Sequence, residues 1–275
     1  MELLGKDPVT YTTYHNHTKW SDGSGTVLEM IEAAQKAGFT ELGISDHFAL
    51  APGDPEFRWA LPLHSLDAYV AQIREAMTST KGIILRLGLE VDYFPKSVER
   101  IKDRLAAHAF DFLIGSVHFV DDFAIDLNAQ PWEGLSQDSR DHVWRSYWQL
   151  LSEAAQTGLF DVIGHFDLPK KFNYRPSIDL NKEALAALDA VSAADMAIEI
   201  NTSGWDRPVG EAYPSLFYLR EANRRNIPLV INADAHAPVE IARHFDRAWQ
   251  LAAEAGYTEL VRFEQRRRFP YPLLA

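Results

Sequence analysis

The chain has 275 residues, 47% hydrophobic and 24% charged, with only 15 glycines and 14 prolines scattered along it. That is the composition of a globular protein able to bury a large core as one domain spanning 1–275, and it excludes disorder and repeat architectures. The formal charge is −12, from 27 basic and 39 acidic residues, which argues against duplex nucleic acid as a partner because a polyanion is repelled unless a local patch reverses the field.

The opening stretch MELLGKDPVTYTTYHNH has no basic start followed by an apolar core, so it does not read as a signal peptide. No uncharged apolar run is long enough to cross a bilayer, so no membrane partner is expected. The lack of cysteine excludes disulfides and thiolate metal sites, and the expected location is cytoplasmic.

In chain order, β-branched and apolar runs predict strands over 9–16, 39–45, 83–91, 110–118, 159–165, 196–202 and 227–233. Helical patterns separate them: TVLEMIEAAQKAG, LDAYVAQIREAM, KSVERIKDRLAAHA, RDHVWRSYWQLLSEAAQTG, NKEALAALDAVSAAD and PSLFYLREANRRN, with PVEIARHFDRAWQLAAEAG last. Seven such βα units predict a closed or nearly closed α/β barrel, although a doubly wound sheet would show the same alternation. Two connections, 49–64 and 119–138, exceed ordinary βα loops and could cover a site. The run Arg266, Arg267, Arg268 could grip phosphate, but such a run is more often a solvated face.

Six of the ten histidines, His15, His17, His47, His118, His165 and His236, fall at or just past a predicted strand end. In a parallel barrel those ends converge on one face, so the imidazoles would share a pocket. His64, His108, His142 and His244 fall on loops or helices and read as structural or surface residues. His15 and His17, two apart on a strand, project from the same face, and Asp234 and His236 repeat that spacing on the last strand. Glu90 ends the apolar run IILRLGLE, where an uncompensated carboxylate would cost several kcal/mol, so a partner such as a metal is expected. Asp22 in WSDGSG reads as a turn residue, a helix N-cap or a ligand, and Asp46 as an outer group orienting an imidazole.

Imidazole and carboxylate without thiolate suit Zn, Mn, Fe or Co. The net positive charge left by several divalent ions would attract an anionic substrate, and phosphate fits.

Set side by side, HNHTKWSDGSG, GISDHF, GLEVDY, IGSVHFV, VIGHFDLPKKF, INTSG and NADAH resemble the polymerase and histidinol phosphatase (PHP) family, over nearly the whole chain. IGSVHFV, GHFDLPKKF and NTSGWDRPVGEAYP look most like its monofunctional histidinol-phosphate phosphatases. The resemblance implies a distorted seven-stranded (β/α) barrel, TIM-like, holding three divalent metals (Zn, Mn or Fe) and hydrolysing L-histidinol phosphate in histidine biosynthesis. It also implies the ligand sets. His15, His17, Glu90 and Asp234 would hold the first metal, Glu90 bridging to a second on His118 and His165, with Asp22, His47 and His236 on the third. Some relatives carry a histidine where this chain has Gly23, which bears on the third site.

The expected chemistry is in-line attack on a phosphate monoester by a metal-bridging hydroxide, with no protein nucleophile. Arg58, Lys170, Lys171 and Arg207 are the candidate phosphate clamp; Arg58 and Arg207 match basic positions of the family, while exposed lysines and arginines, Arg175 included, need no such role. Asp46 or a metal-bound water could serve as leaving-group acid. Asp54, Asp126, Trp59 and Phe119 could supply the acidic group and aromatic wall that an amine and an imidazole call for. Competing readings are a metal-dependent amidohydrolase, a PHP phosphoesterase acting on nucleotides or oligonucleotides, and a noncatalytic metal-binding module.

Overall fold

The computed structural model describes residues 11–273. Seven strands, β1 (Thr12–Thr13), β2 (Glu41–Ile44), β3 (Ile84–Asp92), β4 (Phe112–Ser116), β5 (Val162–Ile163), β6 (Ala197–Asn201) and β7 (Leu229–Asn232), pair in parallel in chain order. An Asn16–Ala235 bridge joins the two outer strands, with the His17 amide donating to the Ala235 carbonyl at 2.8 Å, so the sheet curls into a nearly closed barrel. Each strand falls within its sequence-predicted range, apart from the last residue of β3; positions 9 and 10 of the first range lie outside the described residues.

Helices α1 (Val27–Lys36), α2 (Leu66–Ser79), α3 (Val98–Leu105), α4 (Gln137–Gln156), α5 (Asn181–Ala193), α6 (Leu216–Arg224) and α7 (Phe245–Glu254) surround the barrel. Helix α1 shows how the sequence sets them. Thr26 caps its N-terminus in a reciprocal box with Glu29, and Val27, Met30, Ile31 and Ala34, at helical spacing, are its buried stripe. Because Thr26 takes the N-cap, Asp22 is free of that duty. Among the described residues no helix is long and apolar enough to cross a membrane.

Inside the barrel, Tyr14, Phe112, Ile114, Val162, Ala197 and Val230 form a separate apolar core. The Phe112 ring occupies space that only glycine leaves open: a Cβ on Gly88 would meet it at 2.2 Å, and one on Gly43 at 2.6 Å. Val261 and Phe263 complete this core from an antiparallel hairpin, β8 (Glu259–Glu264) and β9 (Arg267–Pro272), absent from the sequence-based prediction. Its turn residues Gln265 and Arg266 adopt left-handed φ values of 49° and 63°.

The hairpin stoppers the N-terminal end of the barrel. Arg266 pairs with Asp161 and donates to the Leu159 carbonyl at 2.6 Å, and Arg268 reaches Asp195 at 2.7 Å. The arginine run is therefore a set of staples on the face opposite the strand C-termini; Arg266 and Arg268 neither grip a ligand nor stand as a freely solvated row. The last predicted helix is also corrected. Residues 238–240 form a single 3₁₀ turn, His244 is left-handed at φ 56°, and α7 starts only at Phe245.

The tight fit around Phe112 predicts that Gly88→Ala lowers the unfolding free energy by about 1–3 kcal/mol, and that Phe112→Leu in the same chain recovers part of that loss. Urea unfolding of the single and double variants reads it; strictly additive losses would contradict the packing account.

Candidate metal centre

Nine residues converge at the C-terminal ends of the strands: His15, His17, Asp22, His47, Glu90, His118, His165, Asp234 and His236. Strand β3 is the longest at nine residues, and its end pairs with both β4 and the short extension His47–Phe48. That overhang carries Glu90 into the middle of the others. Its Oε2 lies 2.6 Å from His47 Nδ1, 3.2 Å from His15 Nε2 and 3.7 Å from His17 Nε2. Its Oε1 lies 2.9 Å from His165 Nε2 and 3.5 Å from His118 Nε2.

Around this hub the residues fall into four overlapping groups: His17, Asp22, His47 and His236; His15, His17 and Asp234; His15, Glu90 and His165; and His47, Glu90 and His118. Asp234 Oδ1 is 3.2 Å from His17 Nε2 and 3.7 Å from His15 Nε2. His118 and His165 face one another, Nε2 to Nε2, at 3.2 Å. Asp22 Oδ1 is 3.4 Å from His236 Nε2 and 3.6 Å from His47 Nε2. Gly23 cannot exchange roles with Asp22 in this loop, since a Cβ there would sit 2.5 Å from the His17 carbonyl oxygen.

These donor sets fit divalent ions. Among the described residues, His15 Nε2, both ring nitrogens of His17, Glu90 Oε2 and His165 Nδ1 are buried without a hydrogen-bond partner. Orphaned buried polar atoms cost about 1–3 kcal/mol each, and here several converge on shared points without hydrogen-bond geometry between them. That is how ligands are arranged around an ion, not how polar groups satisfy one another.

Electrostatics bind the cluster together. Burial raises the Glu90 carboxyl, but the imidazoles of His15, His47 and His118 outweigh it and hold Glu90 well below the usual carboxylate range. Burial lowers His118, yet Asp92 and Glu90 push it up to about 10. For His17, burial together with the neighbouring His47 and His236 drives the imidazole well below its ordinary value.

An outer layer, not singled out in the sequence, orients the ligands. Glu199 is fully buried; it contacts His15 Nδ1 at 3.0 Å and accepts from the His165 amide at 2.7 Å and from Asn232 Nδ2 at 2.8 Å. Asp92 takes His118 Nδ1 at 2.7 Å. Asn201 Nδ2 and Ser203 Oγ both reach Asp234 Oδ2, at 3.1 and 3.2 Å. Glu199 in AIEIN and Asp92 in LEVD carry the signal that marked Glu90, a carboxylate in an apolar strand, so the sequence held the clue. Asp46 departs from expectation. It accepts from the amide and hydroxyl of both Thr18 and Ser21, at 2.6–3.1 Å, so it shapes that turn instead of an imidazole and is not placed to protonate a leaving group.

A cavity of about 470 Å³ opens onto the cluster. Both long connections contribute to it: Phe57 and Trp59 from 49–64, and Phe119, Asp126 and Leu127 from 119–138. Trp59 stands edge-on to His47 with ring centroids 5.1 Å apart and stacks on Phe119 at 6.3 Å. Of the four candidate cations, Arg207 and Lys171 line this cavity. Lys171 Nζ is 3.1 Å from Asp126 Oδ2, while Arg207 has no carboxylate partner among the described residues.

Of the other two cations, Lys170 is corrected. Lys170 is fully buried, with its ammonium taken by Asp167 at 2.9 Å, Glu211 at 3.1 Å and the Ala212 carbonyl at 2.7 Å. Arg58 is an exposed side chain outside the cavity lining. Arg175 pairs with Glu211 at 3.3 Å and Asp54 with Arg100 at 2.6 Å, so neither serves the cavity. His108, His142 and His244 contact Asp67, Asp121 and Asp206, and they, with His64, stay away from the cluster.

Comparison with known proteins adds a second line of evidence. The family model described as PHP domain matches residues 13–203. A "Probable histidinol-phosphatase" of Deinococcus radiodurans is 35% identical over 260 residues, covering 93% of this chain and 97% of the relative. The histidinol-phosphatase of Bacillus subtilis is 27% identical, covering 84% of this chain and 96% of its own length. Among solved structures, histidinol phosphate phosphatase from Lactococcus lactis, complexed with zinc, L-histidinol and phosphate, superposes with a TM-score of 0.78 at 22% identity, over 95% of this chain and 99% of that one.

The outer layer makes a specific prediction. Glu199→Gln and Asp92→Asn should each weaken metal binding by about 10–100-fold, read by competition with a chromogenic chelator. Unchanged affinity in both would remove their orienting role.

Proposed function

The chain belongs to the PHP domain family, and on that basis we propose that it is a histidinol-phosphate phosphatase, cleaving L-histidinol phosphate to L-histidinol and phosphate with divalent metals bound at the Glu90 cluster. The observation that carries the reading is the set of buried imidazole and carboxylate atoms without hydrogen-bond partners at the base of a cavity lined by Arg207, which has no carboxylate partner among the described residues. A metal-loving interior and a cationic rim together suit a phosphate ester.

Three ions are proposed, zinc, manganese or iron. His15, His17, Glu90 and Asp234 would hold one, Glu90, His118 and His165 a second, and Asp22, His47 and His236 a third. When bound, the ions supply an activated water as nucleophile and neutralise charge on the phosphoryl oxygens. The chain's own side chains do the remaining work. Arg207, with a guanidinium fork matched to phosphate, would hold the phosphoryl group at the rim, supported by Lys171. Asp126, on the same cavity wall, is kept below the usual carboxylate range because Lys171 and His118 outweigh its burial, so it stays anionic for an amine. Phe57, Trp59 and Phe119 give a flat apolar wall for an imidazole ring and shield the reacting bond from water.

A net charge of −12 disfavours long nucleic acids as substrates, and a cysteine-free chain is in keeping with a cytoplasmic location. The second reading, a PHP phosphoesterase for nucleotides, uses the same cluster and differs in what the aromatic wall accepts.

Phosphate release from L-histidinol phosphate, beside a nucleoside monophosphate and a short oligonucleotide, tests the proposal. Strong preference for histidinol phosphate is expected, abolished by chelation and by His17→Ala, with Arg207→Ala lowering kcat/KM about 10²-fold or more. Preference for nucleotides would overturn the substrate, and no turnover of any ester by metal-loaded protein would leave a noncatalytic metal-binding module.

A further inference from the structure

Two of the cluster residues, Asp234 and His236, sit on a turn with no regular hydrogen-bonded structure of its own beyond the Ala235 bridge to Asn16. Asp234 adopts φ 52°, a left-handed conformation that residues other than glycine rarely take. Something must hold that turn open in its ligating shape.

The groups that do so come from the break before α7. The Arg243 guanidinium, whose side chain is 11% exposed, donates from Nε to the Ala233 carbonyl at 2.9 Å and from Nη2 to the Asp234 carbonyl at 2.6 Å. One planar fork thus fixes the two carbonyls flanking the left-handed residue. Its Nη1 lies 3.3 Å from Glu240 Oε1. The other oxygen of that carboxylate, Oε2, accepts from the amides of His236 at 2.8 Å and Ala237 at 3.1 Å. Beyond His236 the chain continues the linkage, since the His236 carbonyl accepts from the Ser24 amide at 2.7 Å and so ties the turn to the loop of Asp22.

This arrangement explains why the helix predicted over 238–256 is interrupted. An uninterrupted helix would give the carbonyls of Ala233 and Asp234 no donor from this side; the left-handed His244 marks the break that lets Arg243 turn back to them. A lysine ammonium could reach both carbonyls only from one freely rotating nitrogen, without the planar fork that fixes their relative orientation.

We propose that Arg243 and Glu240 are positioning residues of the metal centre, their ion pair setting the backbone turn that aims Asp234 and His236 at their ions. The inference rests on the metal-centre reading above. It assigns to neither residue a contact with substrate or ion. A purely structural role for the pair would alter global stability without choosing among the metals, which supplies the test.

The full-length protein, stripped by chelator, is titrated with zinc against a chromogenic competitor, as wild type, Arg243→Met, Arg243→Lys and Glu240→Gln. Wild type should bind three equivalents. Arg243→Met should weaken by 10-fold or more the two equivalents held through Asp234 and His236, while the one held by Glu90, His118 and His165 keeps its affinity; Arg243→Lys should fall between. Glu240→Gln should weaken the His236 equivalent alone, and it decides the matter if Arg243→Met fails to fold. Unchanged affinities, or equal weakening of every equivalent, would overturn the positioning role. A wild type that binds no metal would overturn the metal-centre reading itself.

Discussion

Glu90 is a carboxylate only 1% exposed at the centre of a barrel mouth, within 3.7 Å of five imidazoles. A lone carboxylate in that position would be discharged by protonation or would cost several kcal/mol. The imidazoles of His15, His47 and His118 hold Glu90 well below the usual carboxylate range, and the other strand ends bring those groups around it. The overhang of β3, the histidines placed just past β1, β4, β5 and β7, and the carboxylates behind them are successive shells about this one group. The polar groups of the outer shell are themselves satisfied by backbone amides, which keeps a highly charged interior from relaxing.

The two ends of the barrel divide the labour. At the N-terminal end, charged residues such as Arg86, Asp111, Asp161 and Arg266 are engaged with one another and with the closing hairpin, and the Phe112–Phe263 packing seals the interior. At the C-terminal end, the long connections leave a cavity in which donors face inward without partners. Stability is secured on one face, so unsatisfied polar groups can be kept on the other.

Much of this was readable from the chain. Strands buried on both faces show as continuous apolar runs, so all seven barrel strands could be placed, and the histidines just past them identified the mouth. What escaped the sequence has physical reasons. The β8–β9 hairpin mixes buried, half-buried and exposed positions without a regular alternation over only six residues per strand and includes a run of arginines, so pattern alone made that run look like a solvated face. Lys170 resembles a loop cation until the fold brings Asp167 and Glu211 against it from positions three and 41 residues away. The helix break at His244 depends on carbonyls ten residues earlier in the chain, which local propensity cannot register.

Anomalous diffraction from crystals of zinc-loaded protein addresses the organisation around Glu90 most directly. The account predicts three peaks, two of them flanking the Glu90 carboxylate, one on the side of His15, His17 and Asp234 and one on the side of His118 and His165, with the third between Asp22, His47 and His236. Ions bound elsewhere, or a centre in which Glu90 touches no metal, would contradict it.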